Sequence, residues 1–268
     1  MTKYFSLLKY ELKNLTKDSM NLFMLFYPIL MAFITGFLAP KIANLTNTNP
    51  LVSSYIYLVL FLMSLTIGPL IGGVMLGFSL IESKDERTIN SVAVTPASIK
   101  GYVAFKSIYC TIISFFGNIA MIYAIKLFSG DTLNIITFGG MSGLFDNFGL
   151  WKILLFSFSN SLLTPAAAMI MAAISKNKVE GFVVMKSSGI IFILPVLMLL
   201  PFFNGGNQYI LAFLPHFWGA KSVYNSLVLS QSSADISFVL YNIIGIVYSA
   251  IFIVGSFWIF NRKLQVST

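Results

Sequence analysis

Glu82-Ser83-Lys84-Asp85-Glu86-Arg87-Thr88-Ile89-Asn90-Ser91-Val92-Ala93-Val94-Thr95-Pro96 separates two long apolar runs, Ser54–Ile81 and Phe105–Phe128. Five of its first six residues are charged, in a chain of 268 residues that carries 17 Lys and Arg and 9 Asp and Glu. A central charge in hydrocarbon costs at least ~2.5–3.5 kcal/mol, so a cluster this dense has to face water. It reads as the surface through which a membrane protein meets a partner.

The rest of the chain gives that insert its setting. Apolar residues make up 57% and charged residues only 10%, against roughly 45–50% and 25% in soluble domains. Six apolar segments are each long enough to cross ~30 Å of hydrocarbon at ~1.5 Å per residue: Leu22–Leu38, Ser54–Ile81, Phe105–Phe128, Trp151–Ile174, Phe182–Phe203 and Ser237–Phe260. The fold expected is an all-α membrane protein of six transmembrane helices in one transmembrane domain over 1–268, with no separate soluble domain. The second segment, about 42 Å long as a helix, projects beyond the bilayer and carries Glu82 into water.

The net charge of +8 is read as topology rather than nucleic-acid binding. With both termini inside, thirteen of the 17 basic residues fall on or near the cytoplasmic side and only Lys41, Lys126, Lys152 and Lys221 outside, as the positive-inside rule requires. No removable signal peptide is expected, because the N-terminus lacks a short apolar core with a small-residue cleavage site. Over residues 1–20, Tyr4, Phe5, Leu8, Leu12 and Leu15 share one helical face, and Lys3 with the anchors Lys9, Lys13 and Lys17 shares the other. That pattern predicts an amphipathic helix lying in the membrane interface. The longest external segments are 129–150 and 204–236. The second contains Leu214-Pro215-His216-Phe217-Trp218-Gly219-Ala220, which is too apolar for a free loop and too short to cross, and reads as a re-entrant or interfacial element before the sixth span.

Several chemistries lack their residues. The single histidine, His216, has no metal-ligand companion in the sequence and reads as a packing residue. The lone Cys110 lies in an apolar run and reads as a small packing residue. Gly101-Tyr102-Val103-Ala104-Phe105-Lys106-Ser107 echoes a phosphate loop only superficially, since Phe105 stands where a glycine is needed and no strand precedes it. No catalytic centre, metal site or bound cofactor is therefore expected. Within the spans Lys186 is the only candidate for a coupling group, placed where its stem reaches the interface, so ion-coupled transport lacks its groups. Gly68 with Gly72, and Gly73 with Gly77, have the spacing of close helix packing. Thr164-Pro165-Ala166-Ala167-Ala168 predicts a kink with a small-residue face.

In the insert, Ile89, Val92 and Ala93 recur near helical spacing, and Thr95-Pro96 reads as an N-cap followed by the first position of a new helix. Here the sequence resembles the permease subunits of bacterial type-2 ABC transporters. Their loop between spans two and three carries an acidic-basic run, Gly-Thr-Leu-Glu, an apolar helix and Thr-Pro, with a Lys beginning the next span. Glu82, Glu86, Thr88, Ile89, Val92, Thr95, Pro96 and Lys106 stand at matching places, while the family's glycine is Arg87 and its glutamate Asn90. The resemblance implies that 82–104 is a coupling loop, with a coupling helix over 88–94 that docks on a separate ATPase subunit. It also implies ATP and Mg on that partner, a second permease copy or related chain, and outward movement of a drug, lipid, glycan or peptide across the bacterial cell membrane. Read from the residues alone, the same insert would equally serve a non-transporting assembly or sensor protein that recruits a cytosolic partner.

Overall fold

In a computed structural model the described residues are 19–46, 49–86, 99–130, 145, 148–227 and 233–266. Every regular element among them is helical: α1 (Ser19–Phe33), a π-turn (Ile34–Leu38), α2 (Ala39–Leu45), α3 (Pro50–Ile67), α4 (Leu70–Asp85), α5 (Ile99–Ser129), α6 (Leu150–Ser161), α7 (Thr164–Ile174), α8 (Lys178–Ile193), three 3₁₀ stretches between Leu194 and Phe213, α9 (Phe217–Leu227) and α10 (Phe238–Val266). Six stretches are long and apolar enough to cross a membrane: Leu22–Leu45, Val52–Asp85, Ile99–Ser129, Leu150–Ile174, Lys178–Leu199 and Phe238–Lys263. The all-α, six-span fold read from the sequence is the fold observed. Residues 1–18, with Lys9, Lys13 and Lys17, lie outside the described residues. So do Arg87, Thr88, Ile89, Val92, Thr95 and Pro96.

Spans one, three and five differ most in extent from their apolar runs, the third beginning at Ile99 rather than Phe105. The first continues to Leu45, past Leu38. The fifth begins at Lys178, because Asn177 caps it by accepting from the Glu180 N–H at 2.9 Å while the Glu180 carboxylate accepts from the Lys176 N–H at 2.8 Å. This is a reciprocal cap that apolar counting does not register. Its α-helix ends at Ile193, and Pro195 then lies in a 3₁₀ stretch.

Proline shapes three spans by one mechanism, loss of an N–H and a clash with the carbonyl four residues back. Pro40 withdraws the donor for Gly36, and the helix widens into the π-turn, where Ala39 N–H donates to Ile34 O. Pro69 ends α3 and frees the Leu65 carbonyl, which accepts instead from Asn160 Nδ2 at 2.8 Å. Pro165 frees the Ser161 carbonyl, which accepts from the Thr164 hydroxyl at 2.7 Å. Spans two and four are thus both interrupted, and the breaks face each other.

The second halves of those spans, α4 and α7, form the most extensive helix pair, followed by α7 with α10. Gly73 sits at the α4–α7 contact, where an added Cβ would lie 2.7 Å from the Thr164 carbonyl oxygen. Neither partner there is a movable side-chain tip. Gly73→Ala is expected to destabilise the protein by about 1–2 kcal/mol even after its gain in helix propensity, read as a lowered midpoint of thermal unfolding. Gly189→Ala, whose Cβ would meet nothing within 4 Å, is the control and should be neutral or slightly stabilising.

Two apolar cores stack along the bundle. One gathers Phe61, Leu65, Met121, Phe156 and Phe217, and the other Leu80, Ile81, Val103, Met169 and Phe260. Buried polar residues lie around the breaks: Asn118 Nδ2 donates to Ser157 Oγ at 3.3 Å, and the Thr35 and Ser64 hydroxyls pair at 2.8 Å. Large apolar side chains such as Phe23, Phe116, Ile251 and Val254 are exposed around the outside, as lipid-facing helices require.

Candidate functional site

A cavity of about 400 Å³ opens beside the broken spans, walled by α1, α3, α4, α7 and α8 and by Pro215. Its lining is aromatic and thioether-rich, with Phe23, Tyr27, Phe192, Met24, Met171 and Met185. The Ser188 hydroxyl in its wall is already bonded to the Met185 carbonyl at 3.0 Å. The size falls in the usual range for small-molecule pockets, ~300–1,000 Å³. Methionine adapts to irregular shapes, and aromatic faces stack on planar rings. Such a lining suits a flat apolar or amphipathic molecule.

The glycines singled out in the second span flank this region. Gly68 backs onto the Met121 side chain, Gly72 onto Ser114, Gly73 onto the Thr164 backbone and Gly77 onto Met171. All four contacts are made within the chain.

One end of the bundle carries Glu82 and Glu86, at the C-terminus of α4. There Lys178 Nζ lies 2.7 Å from Glu82 Oε1 in an exposed ion pair, a geometry worth ~0–1 kcal/mol. Lys84 turns inward and donates to the carbonyls of Ala172 at 2.7 Å and Ser175 at 3.1 Å. It satisfies the end of α7 with a cation, where the helix dipole favours one. The last turn of α4, where the charged insert begins, is thereby fastened to span four.

Cations within the spans are placed differently from expectation. Lys186 is exposed on α8. The buried one is Lys106, 3% exposed, donating to Ser79 Oγ at 2.6 Å and lying 4.8 Å from the Tyr102 ring centre. Because α5 begins at Ile99, Lys106 stands two turns inside the helix rather than at its mouth.

The opposite end holds a polar network that sequence reasoning missed. Lys221 Nζ is 3.4 Å from Asp235 Oδ1, with both side chains buried. Asp235 also accepts from Gln208 Nε2 at 2.8 Å and from the Tyr241 hydroxyl at 3.4 Å. Burial lowers the Lys221 ammonium pKa, and the Asp235 charge opposes that shift. The network ties the third 3₁₀ stretch and α9 to the start of α10. The only sequence signal for it is a lone acid beside an apolar span.

His216 is buried in the left-handed backbone region at φ 62°. Burial holds its imidazole at a pKa of about 3, so the ring is neutral. Asn160 Nδ2 is committed to Leu65, so His216 Nδ1–H donates to Asn160 Oδ1. Its Nε2 and the Trp218 Nε1 have no partner among the described residues and line a void of about 10 Å³, the size that admits a single water. The placement is that of a packing residue pinned to span four. Cys110, also buried, lies 3.6 Å from the Thr164 hydroxyl.

A sequence model of the family described as Fluoroquinolones export permease protein Rv2686c-like matches residues 11–257, nearly the whole chain. Neither the curated proteins nor the solved structures gave a match.

Proposed function

The chain belongs to the Rv2686c-like family of export permeases, and we propose from that premise that it is the membrane-embedded subunit of an ATP-driven exporter of amphipathic, drug-like cargo. The observation that carries this reading is the aromatic and Met-rich cavity between the broken spans. Fluoroquinolones, named in the family's description, are planar fused-ring amphiphiles and suit such a lining.

The supporting features arrange themselves around that cavity. The distribution of Lys and Arg supports cytoplasmic termini in a bacterial cell membrane. The 82–104 loop, with Glu82, Glu86, Arg87, Thr88, Ile89, Val92, Thr95 and Pro96, is the docking element for a separate ATPase subunit, which binds ATP and Mg. Lys9, Lys13 and Lys17 anchor the N-terminal helix to headgroups. A second permease copy or a related chain completes the assembly. Movement of the loop is passed to span four through Lys84 and the α4–α7 contact. The proline breaks provide positions at which half-spans tilt between inward- and outward-open arrangements.

The test is ATP-dependent flux of a fluorescent fluoroquinolone in vesicles holding the chain and its co-purified ATPase. Gly189 lines the cavity and leaves room for a side chain, so Gly189→Phe is expected to cut flux at least about tenfold, equivalent to ~1.4 kcal/mol, with assembly intact. Glu86→Lys combined with Ile89→Glu is expected to abolish co-purification and flux together. An intact complex with no flux of any cargo in the unaltered protein would favour the recruiting, non-transporting reading.

A further inference from the structure

At the end of the bundle that carries Glu82, a second pocket of about 560 Å³ lies between the ends of α4, α7 and α10. Its lining includes four cations and no acid: Lys84, Lys176, Arg262 and Lys263. Lys84 and Lys263 are near enough to repel each other, and Glu180, which attracts Lys84, lies outside the lining and is bonded to the Lys176 N–H. Ser175, 1% exposed, also lines the pocket, and its hydroxyl has no partner among the described residues. A cluster of cations with a buried, unused hydroxyl lacks an anion that accepts hydrogen bonds through oxygen.

The other wall is apolar. Ile174, Trp258 and Ile259 are exposed there, Trp258 by 62%, and Arg262 lies 5.5 Å from the Trp258 ring centre. On α10 this wall continues through Val254 and Ile251, both exposed, at the three- and four-residue steps of one helical face. That face belongs to the lipid-facing belt, so an anion here has an apolar path attached to it. Trp seated at the headgroup level beside basic side chains is the arrangement of an interface anchor.

We propose that this pocket binds the phosphodiester headgroup of an anionic phospholipid, with one acyl chain along Trp258, Val254 and Ile251. The headgroup bridges the ends of spans two, four and six, at the end of α4 where the charged insert begins. A lipid there couples membrane composition to the stiffness of the docking end. The site rests on pocket geometry and charge, and its test is independent of transport.

The purified chain in neutral detergent is titrated with phosphatidylglycerol, phosphatidylcholine and inorganic phosphate, with the thermal midpoint and the lipid retained in native mass spectrometry as readouts. Phosphatidylglycerol is expected to raise the midpoint and remain bound, whereas phosphatidylcholine and phosphate are not. The triple variant K176Q/R262Q/K263Q, which spares the structural Lys84, should weaken phosphatidylglycerol binding about a hundredfold, each charge near an anionic surface contributing roughly a factor of five. R262Q alone should lose about fivefold, a readout that survives if the triple variant misfolds. Lys41→Gln with Lys126→Gln, at the other end, should change nothing. Equal binding of both lipids, or full binding by the triple variant, overturns the proposal. An equal shift with phosphate alone also overturns it by assigning a soluble anion.

Discussion

Lys221→Met is expected to destabilise the protein by about 3 kcal/mol or more, the usual cost of removing one partner from a buried ion pair. The methionine fills much the same space, so the loss is electrostatic rather than a cavity effect. Asp235 would stay buried with Gln208 and Tyr241 still donating to it, a negative charge deprived of the Lys221 cation. Asp235→Asn in the same background removes that charge while keeping an oxygen for Gln208, and should recover most of the loss. Thermal unfolding of the two variants in one detergent checks this. Equal midpoints for Lys221→Met and the double variant would show that the pair carries little. Because the network ties α9 to the last span, the single variant should also expose the 3₁₀ segment to hydrogen exchange before the rest unfolds.

Asn160→Leu should cost about 2–4 kcal/mol, because one side chain serves two buried groups that have no alternative. Its amide donates to the Leu65 carbonyl that Pro69 leaves free, and its oxygen accepts from His216. Leucine, which shares the branched outline but neither polar atom, leaves both unsatisfied, at ~1–3 kcal/mol each. The mechanism is separable, since Pro69→Ala restores an N–H able to reach Leu65. In the Asn160→Leu background it should therefore regain about 1 kcal/mol, while in the unaltered protein it should gain little. A double-mutant cycle measures that coupling. Additive effects would mean that the Asn160 bond does not compensate the proline break.

Much of this was legible beforehand for a plain reason. Hydrocarbon admits only helices with internally satisfied backbones, so runs such as Ser54–Ile81 declare themselves by length and polarity alone. Thr164-Pro165 was legible as a break because proline acts on its own helix, whatever surrounds it. The span-five start at Lys178 was not, since apolar counting passes over an Asn177–Glu180 cap made of polar groups. Lys106 and Lys221 escaped for a deeper reason. Lys106 looks like an end-of-helix cation in sequence and Lys221 like a cation of an external segment, and the burial of each depends on a partner on another segment, Ser79 for one and Asp235 for the other.

The sequence by itself determined the membrane class, the six spans, and the break at Thr164-Pro165. These follow from transfer free energies and local covalent geometry, which need no knowledge of neighbours. Only the tertiary structure decided what faces the breaks: Asn160 at Leu65, Gly73 on Thr164, and a cavity lined by four spans. It also decided which charges are paired, which are buried, and which gather around Ser175 in a lining that holds no acid among the described residues. Those are properties of approach between segments up to about a hundred residues apart, set by shape complementarity that no single helix encodes. The charged insert from Glu82 to Pro96 stands between the two. Its charge favours water, while Lys84 and the Glu82–Lys178 pair tie its first turn to the bundle.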